Sequence, residues 1–205
     1  MKLLVLGGNG FVGQALLSLA LKMGHDVSYI SRHPGKGPLF EDHTSLTYIQ
    51  GDLLAVEHIQ LDQDYDWVID LVGSITPKTM DALNIQARQG TVALAKTNQI
   101  PKVLYLSANV GYPSYLKSKR VGETIIQHSE LSYVILRSGL IYGPGRPSSI
   151  ATAHLVKMGM AIPLIGNLFK SIAPAPVTSV AQQILAALNS DAINLIWDID
   201  SISGD

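Results

Sequence analysis

The sequence contains no cysteine among its 205 residues, which excludes disulfide bonds, thiolate metal sites and a cysteine nucleophile. Charged residues make up only 15% of the chain and the net charge is −1. Because no basic run occurs, no nucleic-acid partner is predicted. The six histidines do not show the spacing of metal ligands, so no metal site is predicted either.

Long hydrophobic runs are also missing. No stretch reaches the ~18 uninterrupted apolar residues that a membrane-spanning helix needs. The apolar run before Gly7 is too short for a secretory signal peptide, so a cytoplasmic location is predicted. Residues 151–169 are apolar but interrupted by lysine, glycine and proline. This stretch can line an apolar substrate pocket, contact a membrane or a partner, or simply pack on the domain.

Hydrophobic residues reach 47%, enough for a substantial core in one domain spanning residues 1–205. Apolar runs alternate with helical patterns, so the predicted fold class is α/β, a Rossmann-type doubly wound parallel sheet. Strands are predicted at 2–6, 26–30, 46–50, 67–72, 102–106, 133–136 and 195–199, and helices at 11–23, 79–97, 115–128, 149–158 and 179–189. Residues 143–176 are rich in proline, glycine and serine and are predicted to form a small lid on the substrate side.

A glycine-rich loop joins the first strand to the first helix. Its glycines are spaced three apart, which allows a tight turn, a close approach of the backbone to a pyrophosphate, and close packing of the helix on the sheet. The free N–H groups and the dipole of the helix then bind the phosphates. The loop predicts a dinucleotide site formed by Gly7, Asn9, Gly10, Phe11, Val12 and Gly13.

The end of the second strand indicates which dinucleotide binds. An NAD site usually has a carboxylate there for the ribose 2′-OH, but this chain has Ser31 and Arg32. A guanidinium pairs with a 2′-phosphate in bidentate fashion, so NADP(H) is favoured over NAD(H). Asp52, after the third strand, receives the adenine amino group or caps the short helix that follows; the sequence leaves both readings open.

Tyr115 and Lys119 are four residues apart and share one face of a predicted helix. A nearby ammonium lowers the pKa of a tyrosine from its usual value of ~10. The pair can therefore exchange a proton with a substrate hydroxyl or carbonyl while hydride moves to or from a nicotinamide. Ser107, at the end of the fifth strand, either donates a hydrogen bond to the reacting oxygen or satisfies local backbone groups.

These features, taken in order along the chain, resemble a short form of the short-chain dehydrogenase/reductase superfamily, in the extended or atypical branch related to NAD-dependent epimerases and dehydratases. The matching residues are Gly7, Gly10, Gly13, 51–53, 67–73, Asn84, 106–108, 115–123, 135–145 and 175–181. The resemblance implies about seven parallel strands with the cofactor across their carboxyl ends. It also implies that Leu53, Leu71, Val72, Gly73 and Lys119 contact that cofactor.

Two functions remain open at this stage. In the first, the chain is an NADP(H)-dependent oxidoreductase, or an enzyme like a sugar-nucleotide epimerase or dehydratase, acting on a small-molecule substrate. Tyr115 is then the acid/base, Lys119 orients the nicotinamide ribose, and Ser107 polarises the substrate oxygen. In the second, the chain binds NADPH without catalysis, as a sensor or an assembly factor. The intact Tyr115–Lys119 pair favours the enzyme, and the short loop between Ser107 and Tyr115 favours the binding protein.

Overall fold

The computed structural model describes residues 1–41, 44–147, 149–150, 152–153 and 174–199. In these ranges seven strands form one sheet, and two short strands pair separately. The strands are β1 (Lys2–Leu6), β2 (Asp26–Ser31), β3 (Leu46–Gln50), β4 (Trp67–Asp70), β5 (Lys102–Ala108), β6 (Ser132–Ser138), β7 (Ile141–Tyr142), β8 (Ala175–Pro176) and β9 (Leu195–Asp198). The helices are α1 (Phe11–Lys22), α2 (Pro77–Asp81), α3 (Ala87–Thr97), α4 (Pro113–Gln127) and α5 (Val177–Leu188).

The large sheet has the strand order β3-β2-β1-β4-β5-β6-β9, and every neighbouring pair is parallel. The predicted Rossmann-type fold is therefore confirmed. The chain reverses its direction across the sheet between β1 and β4, and ligands of such sheets bind at this switch point, beyond the carboxyl ends of the strands.

Helices cover both faces of the sheet, which explains why its strands are almost continuously apolar. Alternate residues of β1 point to opposite faces. Leu3 and Val5 join a core cluster with residues of α1 and α5. Leu4 and Leu6 join a second cluster with residues of α3 and α4.

Most predicted element boundaries shift by one or two residues, and three of the differences have a clear local cause or consequence. β4 ends at Asp70 rather than at residue 72, because Oδ1 of Asp70 accepts a hydrogen bond from the backbone N of Val72 at 3.0 Å and bends the chain. The helix predicted at 79–97 begins at Pro77 and contains a π turn at Ala82–Gln86 between α2 and α3. The helix predicted from residue 115 begins at Pro113, since proline fits the first helical position.

The predicted lid at 143–176 and the predicted helix at 149–158 lie largely outside the described residues, as does the apolar stretch 151–169. What is described beyond residue 140 includes β7, which pairs in parallel with β8. In the described part of the chain, no helix combines the length and apolar character needed to cross a membrane.

Candidate active site

The loop after β1 has the conformation of a phosphate cradle. Gly7 has a φ of +80°, in the left-handed region that favours glycine. A β-carbon on Gly13 would lie 2.4 Å from the carbonyl oxygen of Gly7, and one on Gly8 would lie 2.5 Å from Cβ of Tyr29. The loop ends at Gly10, and α1 begins with the unpaired N–H groups of its first turn. These residues therefore fit a dinucleotide pyrophosphate.

A cleft of about 530 Å³ opens beside this loop, at the carboxyl ends of β1, β4, β5 and β6. It brings together ten residues that the sequence predicted for the site: Gly7, Gly10, Phe11, Val12, Gly13, Leu71, Gly73, Ser107, Tyr115 and Lys119. It also contains residues that sequence reasoning missed, among them Ser74, Ile75, Val110, Gly111, Ser138 and Arg146. Arg146 directly follows residues 135–145, which carry part of the family resemblance. Its position next to them is the feature of the sequence from which it could have been predicted.

Lys119 is buried at the floor of the cleft. Its Nζ donates a hydrogen bond to the backbone oxygen of Leu106 at 2.9 Å and lies 4.8 Å from the ring centroid of Tyr105. Burial, followed by repulsion from the nearby Arg88, lowers the pKa of Lys119 to about 7. At neutral pH this lysine is consequently a weaker source of positive charge than its residue type indicates.

We expect the amine of Lys119 to titrate near neutral pH in the nucleotide-free protein. In carbon-13 NMR of lysine-labelled protein, its Cε resonance should have a midpoint of about 7. The signal is assigned by its absence from Lys119→Met. Because the folded pKa lies below the ordinary value, the folded state binds fewer protons here, and this residue makes stability rise with pH from about 7 to 10.5. A midpoint near the usual ~10.4 in the folded protein would contradict the burial argument.

Tyr115 lies one helical turn before Lys119 and lines the same cleft. Its ring packs on Gly111, where a β-carbon would lie 2.3 Å from Cδ1 of Tyr115. Burial raises the pKa of Tyr115, and the cation that opposes this rise is Arg146. Lys119 is not among the groups that shift this pKa, and its Nζ donates to the backbone oxygen of Leu106. The lowering of the pKa of Tyr115 by Lys119 stays a prediction.

Ser107 is buried beneath the cleft, and its hydroxyl donates a hydrogen bond to Oε1 of Glu123 at 2.5 Å. Its one hydroxyl proton is thus directed away from the substrate side. The prediction that Ser107 donates to a reacting oxygen disagrees with this arrangement, in which the serine can only accept from the cleft. Sequence reasoning did not foresee the competition from Glu123, which lies on another element.

Glu123 is buried and pairs with two partly exposed arginines. Nε and Nη2 of Arg137 donate to its two carboxylate oxygens at 3.0 and 2.6 Å, and Arg120 donates to Oε1 as well. Burial alone would raise the pKa of the Glu123 carboxyl, but the hydrogen bonds from Arg137 and Ser107 outweigh it and hold that pKa below its ordinary value. Glu123 therefore remains a carboxylate that fixes the orientation of Ser107.

A fully buried ion pair supports the loop that follows β4. Nε of Arg88 lies 2.9 Å from Oδ2 of Asp70, and both side chains are fully buried. Nη1 of Arg88 donates to the backbone oxygen of Val72 at 2.9 Å, and Thr91 donates to Oδ2 of Asp70 at 2.5 Å. The pair thereby fixes the loop after β4, in which Leu71 and Gly73 line the cleft.

Asn84, in the π turn, anchors the same loop from the other side. Its Oδ1 accepts from the backbone N of Ser74 at 2.9 Å, and its Nδ2 donates to the Ser74 oxygen and to Oγ of Ser118 at 2.8 and 2.9 Å. Because Ser118 precedes Lys119 on α4, this one side chain joins the loop to the helix that contains Tyr115 and Lys119. Single π turns inside helices occur frequently at functional sites.

The other predicted cofactor residues fall into three groups. Arg32 and Asp52 line a second cleft of about 400 Å³ with Gln50, Gly51, Ala55 and His58. Oδ1 of Asp52 also accepts from the backbone N of Leu54 at 3.0 Å. This contact lies in the loop and does not cap the short helix Val56–His58, whose N-cap is Ala55 with no side-chain cap hydrogen bond. Asn9 and Ser31 both donate to the backbone oxygen of His33, at 2.9 and 2.5 Å, which joins the phosphate loop to the chain after β2.

Leu53 and Val72 form the third group. Their side chains pack in the core cluster on the α3 and α4 side of the sheet and line neither cleft among the described residues. The burial of these apolar side chains decides their orientation, and the cofactor contacts that the family resemblance implies for the two residues stay a prediction.

A family model described as NAD(P)H-binding matches residues 7–191. The chain belongs to this NAD(P)H-binding family. The match begins at the phosphate loop and extends through α5, so it includes both clefts. Together with the fold, the match is consistent with the resemblance drawn from the sequence and confirms an NAD(P)H-binding domain.

Curated proteins similar to this NAD(P)H-binding chain include two longer relatives. One is an uncharacterized chloroplastic protein of Arabidopsis thaliana, 29% identical over 160 residues that cover 73% of the chain and 53% of the relative. The other is a ceramide reductase of Caulobacter vibrioides, 23% identical over 199 residues that cover 94% of the chain and 62% of the relative. The chain thus spans between half and two thirds of the length of these relatives.

Among solved structures, the chain is similar to the dTDP-glucose 4,6-dehydratase of Bacillus anthracis in complex with NAD. The TM-score is 0.75 at 16% identity, covering 99% of this chain and 76% of the other. At that identity the likeness is one of fold.

No group of three or more histidine, aspartate or glutamate side chains that could hold a metal ion occurs in the described ranges.

Proposed function

We propose that the chain is an NADPH-dependent oxidoreductase that reduces a carbonyl group of a small molecule, with Tyr115 as the proton donor. The observation that carries this proposal is the single cleft in which the phosphate loop, Tyr115 and Lys119 meet at the carboxyl ends of the strands. The family match to NAD(P)H-binding proteins supports it, as does the name of the relative from Caulobacter vibrioides, a ceramide reductase.

The residues divide the proposed task as follows. The loop from Gly7 to Gly13 holds the pyrophosphate, Arg32 pairs with the 2′-phosphate, and Lys119 contacts the nicotinamide ribose. A bound reduced nicotinamide supplies a hydride to the carbonyl carbon. Oη of Tyr115 donates its proton to the carbonyl oxygen, which becomes a hydroxyl, and the resulting phenolate regains a proton from solvent.

The raised pKa of Tyr115 is compatible with a role as proton donor in reduction. Burial keeps the phenol protonated at neutral pH, so the group is present as an acid when a carbonyl substrate binds. The reverse reaction needs a phenolate as base, which this environment disfavours. An epimerase or dehydratase, such as the Bacillus anthracis relative in fold, needs both directions within one catalytic cycle.

Cofactor choice provides the first test. We expect the wild-type protein to bind NADPH about 10- to 100-fold more tightly than NADH, because one charge-assisted hydrogen bond contributes ~1.5–3 kcal/mol. Arg32 is exposed and lines the second cleft, so Arg32→Ser should fold normally and lose this preference. Isothermal titration calorimetry with both dinucleotides measures it.

Lys22→Ser is the matched control, since Lys22 is an exposed cation at the opposite end of α1. It should leave both affinities unchanged. Equal or tighter binding of NADH by the wild type would refute the preference. An unchanged NADPH-to-NADH ratio in Arg32→Ser would show that another group recognises the phosphate.

A second candidate function is favoured by the Ser107–Glu123 hydrogen bond. An enzyme of this kind benefits from a second donor beside the tyrosine, and in this structure the serine proton is already engaged. The chain would then bind NADPH without turnover, as a sensor or an assembly factor. Screening the wild type for oxidation of NADPH by aldehydes, ketones and sugar nucleotides distinguishes the two functions.

A further inference from the structure

Arg146 lines the same cleft as the phosphate loop. It follows β7, and its side chain is exposed. Its guanidinium carbon is 5.9 Å from the ring centroid of Phe11, the first residue of α1. Its backbone oxygen accepts hydrogen bonds from both N and Oγ of Ser149, at 2.9 and 2.6 Å. The backbone is thus fixed while the side chain reaches toward α1.

The charged side chains that line the cleft favour the binding of an anion near Arg146. Its described lining includes two cations, Lys119 and Arg146, and no carboxylate. Lys119 is buried and donates to Leu106, so Arg146 is the charged group of that lining that solvent can reach. The start of α1 adds the partial positive charge of a helix N-terminus. An anion above Phe11 would therefore meet the helix on one side and the guanidinium on the other.

We propose that Arg146 binds the pyrophosphate of the dinucleotide from the side of the cleft opposite α1. A guanidinium matches phosphate oxygens with two parallel donors, which an ammonium cannot do. The inference rests on the proposed function, because it needs a dinucleotide in the cleft. It adds a contact from outside the phosphate loop that does not depend on the 2′-phosphate, and so acts equally on NADPH and NADH.

The same guanidinium is the cation that most opposes the rise in the pKa of Tyr115. One side chain thus faces both the phosphate end and the reacting end of the cleft. Arg146→Gln should therefore move any limb of the pH–rate profile that reports Tyr115 to higher pH, whereas a change in folding alone would leave that limb in place.

The test is calorimetric titration of the wild type, Arg146→Gln and Arg146→Lys with NADPH, NADH and adenosine 2′-monophosphate, which lacks a pyrophosphate. Loss of a bidentate charged contact should weaken both dinucleotides about 10- to 100-fold in Arg146→Gln. Arg146→Lys should be intermediate because it keeps the charge and loses the paired donors. Affinity for adenosine 2′-monophosphate should be unchanged. Lys117→Gln, an exposed cation on α4, is the control and should bind all three ligands like the wild type.

Three outcomes would overturn the inference. Unchanged dinucleotide affinity in both Arg146 variants would exclude the pyrophosphate contact. This holds even if the KM for a substrate rises in those variants. An equal loss of adenosine 2′-monophosphate binding would show a general structural effect. If the wild type binds neither dinucleotide, the proposed function fails together with the inference, so this failure is distinct from the first two.

Discussion

Replacing Arg88 with methionine is expected to lower the free energy of unfolding by about 3–5 kcal/mol, the cost of leaving a buried charge without its partner. Asp70 and Arg88 are both fully buried, 2.9 Å apart. Burial raises the pKa of Asp70, and Arg88 opposes this rise. Without the guanidinium, Asp70 must stay charged in an apolar core or take up a proton. Urea unfolding followed by circular dichroism measures the change.

Two control variants separate this effect from the loss of packing. Lys96→Met removes one partner of an exposed ion pair, Lys96 with Glu130 at 3.0 Å, and should leave the urea midpoint almost unchanged, because solvent screens such pairs. The double variant Asp70→Leu with Arg88→Met removes both buried charges and should recover part of the loss. An Arg88→Met protein as stable as Lys96→Met would show that Asp70 has another source of compensation.

Replacing Tyr115 with phenylalanine is expected to reduce turnover by ~10²–10⁴, the usual contribution of a positioned acid. Phenylalanine keeps the ring that packs on Gly111, and it fills nearly the same volume, so affinity for NADPH should hardly change. The substrate is any carbonyl compound that supports NADPH oxidation in a screen of the wild type. Steady-state kinetics and calorimetry on the same preparations provide the two measurements.

Lys119→Met is the companion variant and should give a different result. It removes the proposed ribose contact and leaves the backbone oxygen of Leu106 without its donor, so both affinity and turnover should fall. A wild type that binds NADPH but turns over no substrate, with Tyr115→Phe silent in every assay, agrees with the binding protein instead. An active wild type whose rate survives Tyr115→Phe would refute the role of the tyrosine but not the dinucleotide site.

The sequence was sufficient for those parts of the molecule that depend on local patterns. Buried parallel strands appear as apolar runs, and β1 and β3 have the predicted bounds. The glycines of the phosphate loop were predictable because their conformation and their close approaches exclude a side chain. That Tyr115 and Lys119 line the same cleft agrees with their four-residue spacing on one helix face.

Interactions between distant elements were not predictable in this way. The cation that opposes the rise in the pKa of Tyr115 is Arg146, and the hydroxyl of Ser107 is engaged by Glu123, 16 residues away. Asp70 and Arg88 form a pair only because α3 packs beside the end of β4. A sequence read without an alignment identifies residues capable of such contacts, but the partners follow from the tertiary structure.

The π turn at Ala82–Gln86 has a consequence for how α2 and α3 tolerate changes in length. An α-helix advances about 100° per residue, so removing one residue from this turn would rotate α2 against α3. Asn84 could then no longer reach both Ser74 and Ser118 while Arg88 and Thr91 still faced Asp70. The π turn therefore sets the rotation of the residues before it relative to α3. Asn84 can bond to Ser74 and Ser118 while α3 directs Arg88 and Thr91 toward Asp70.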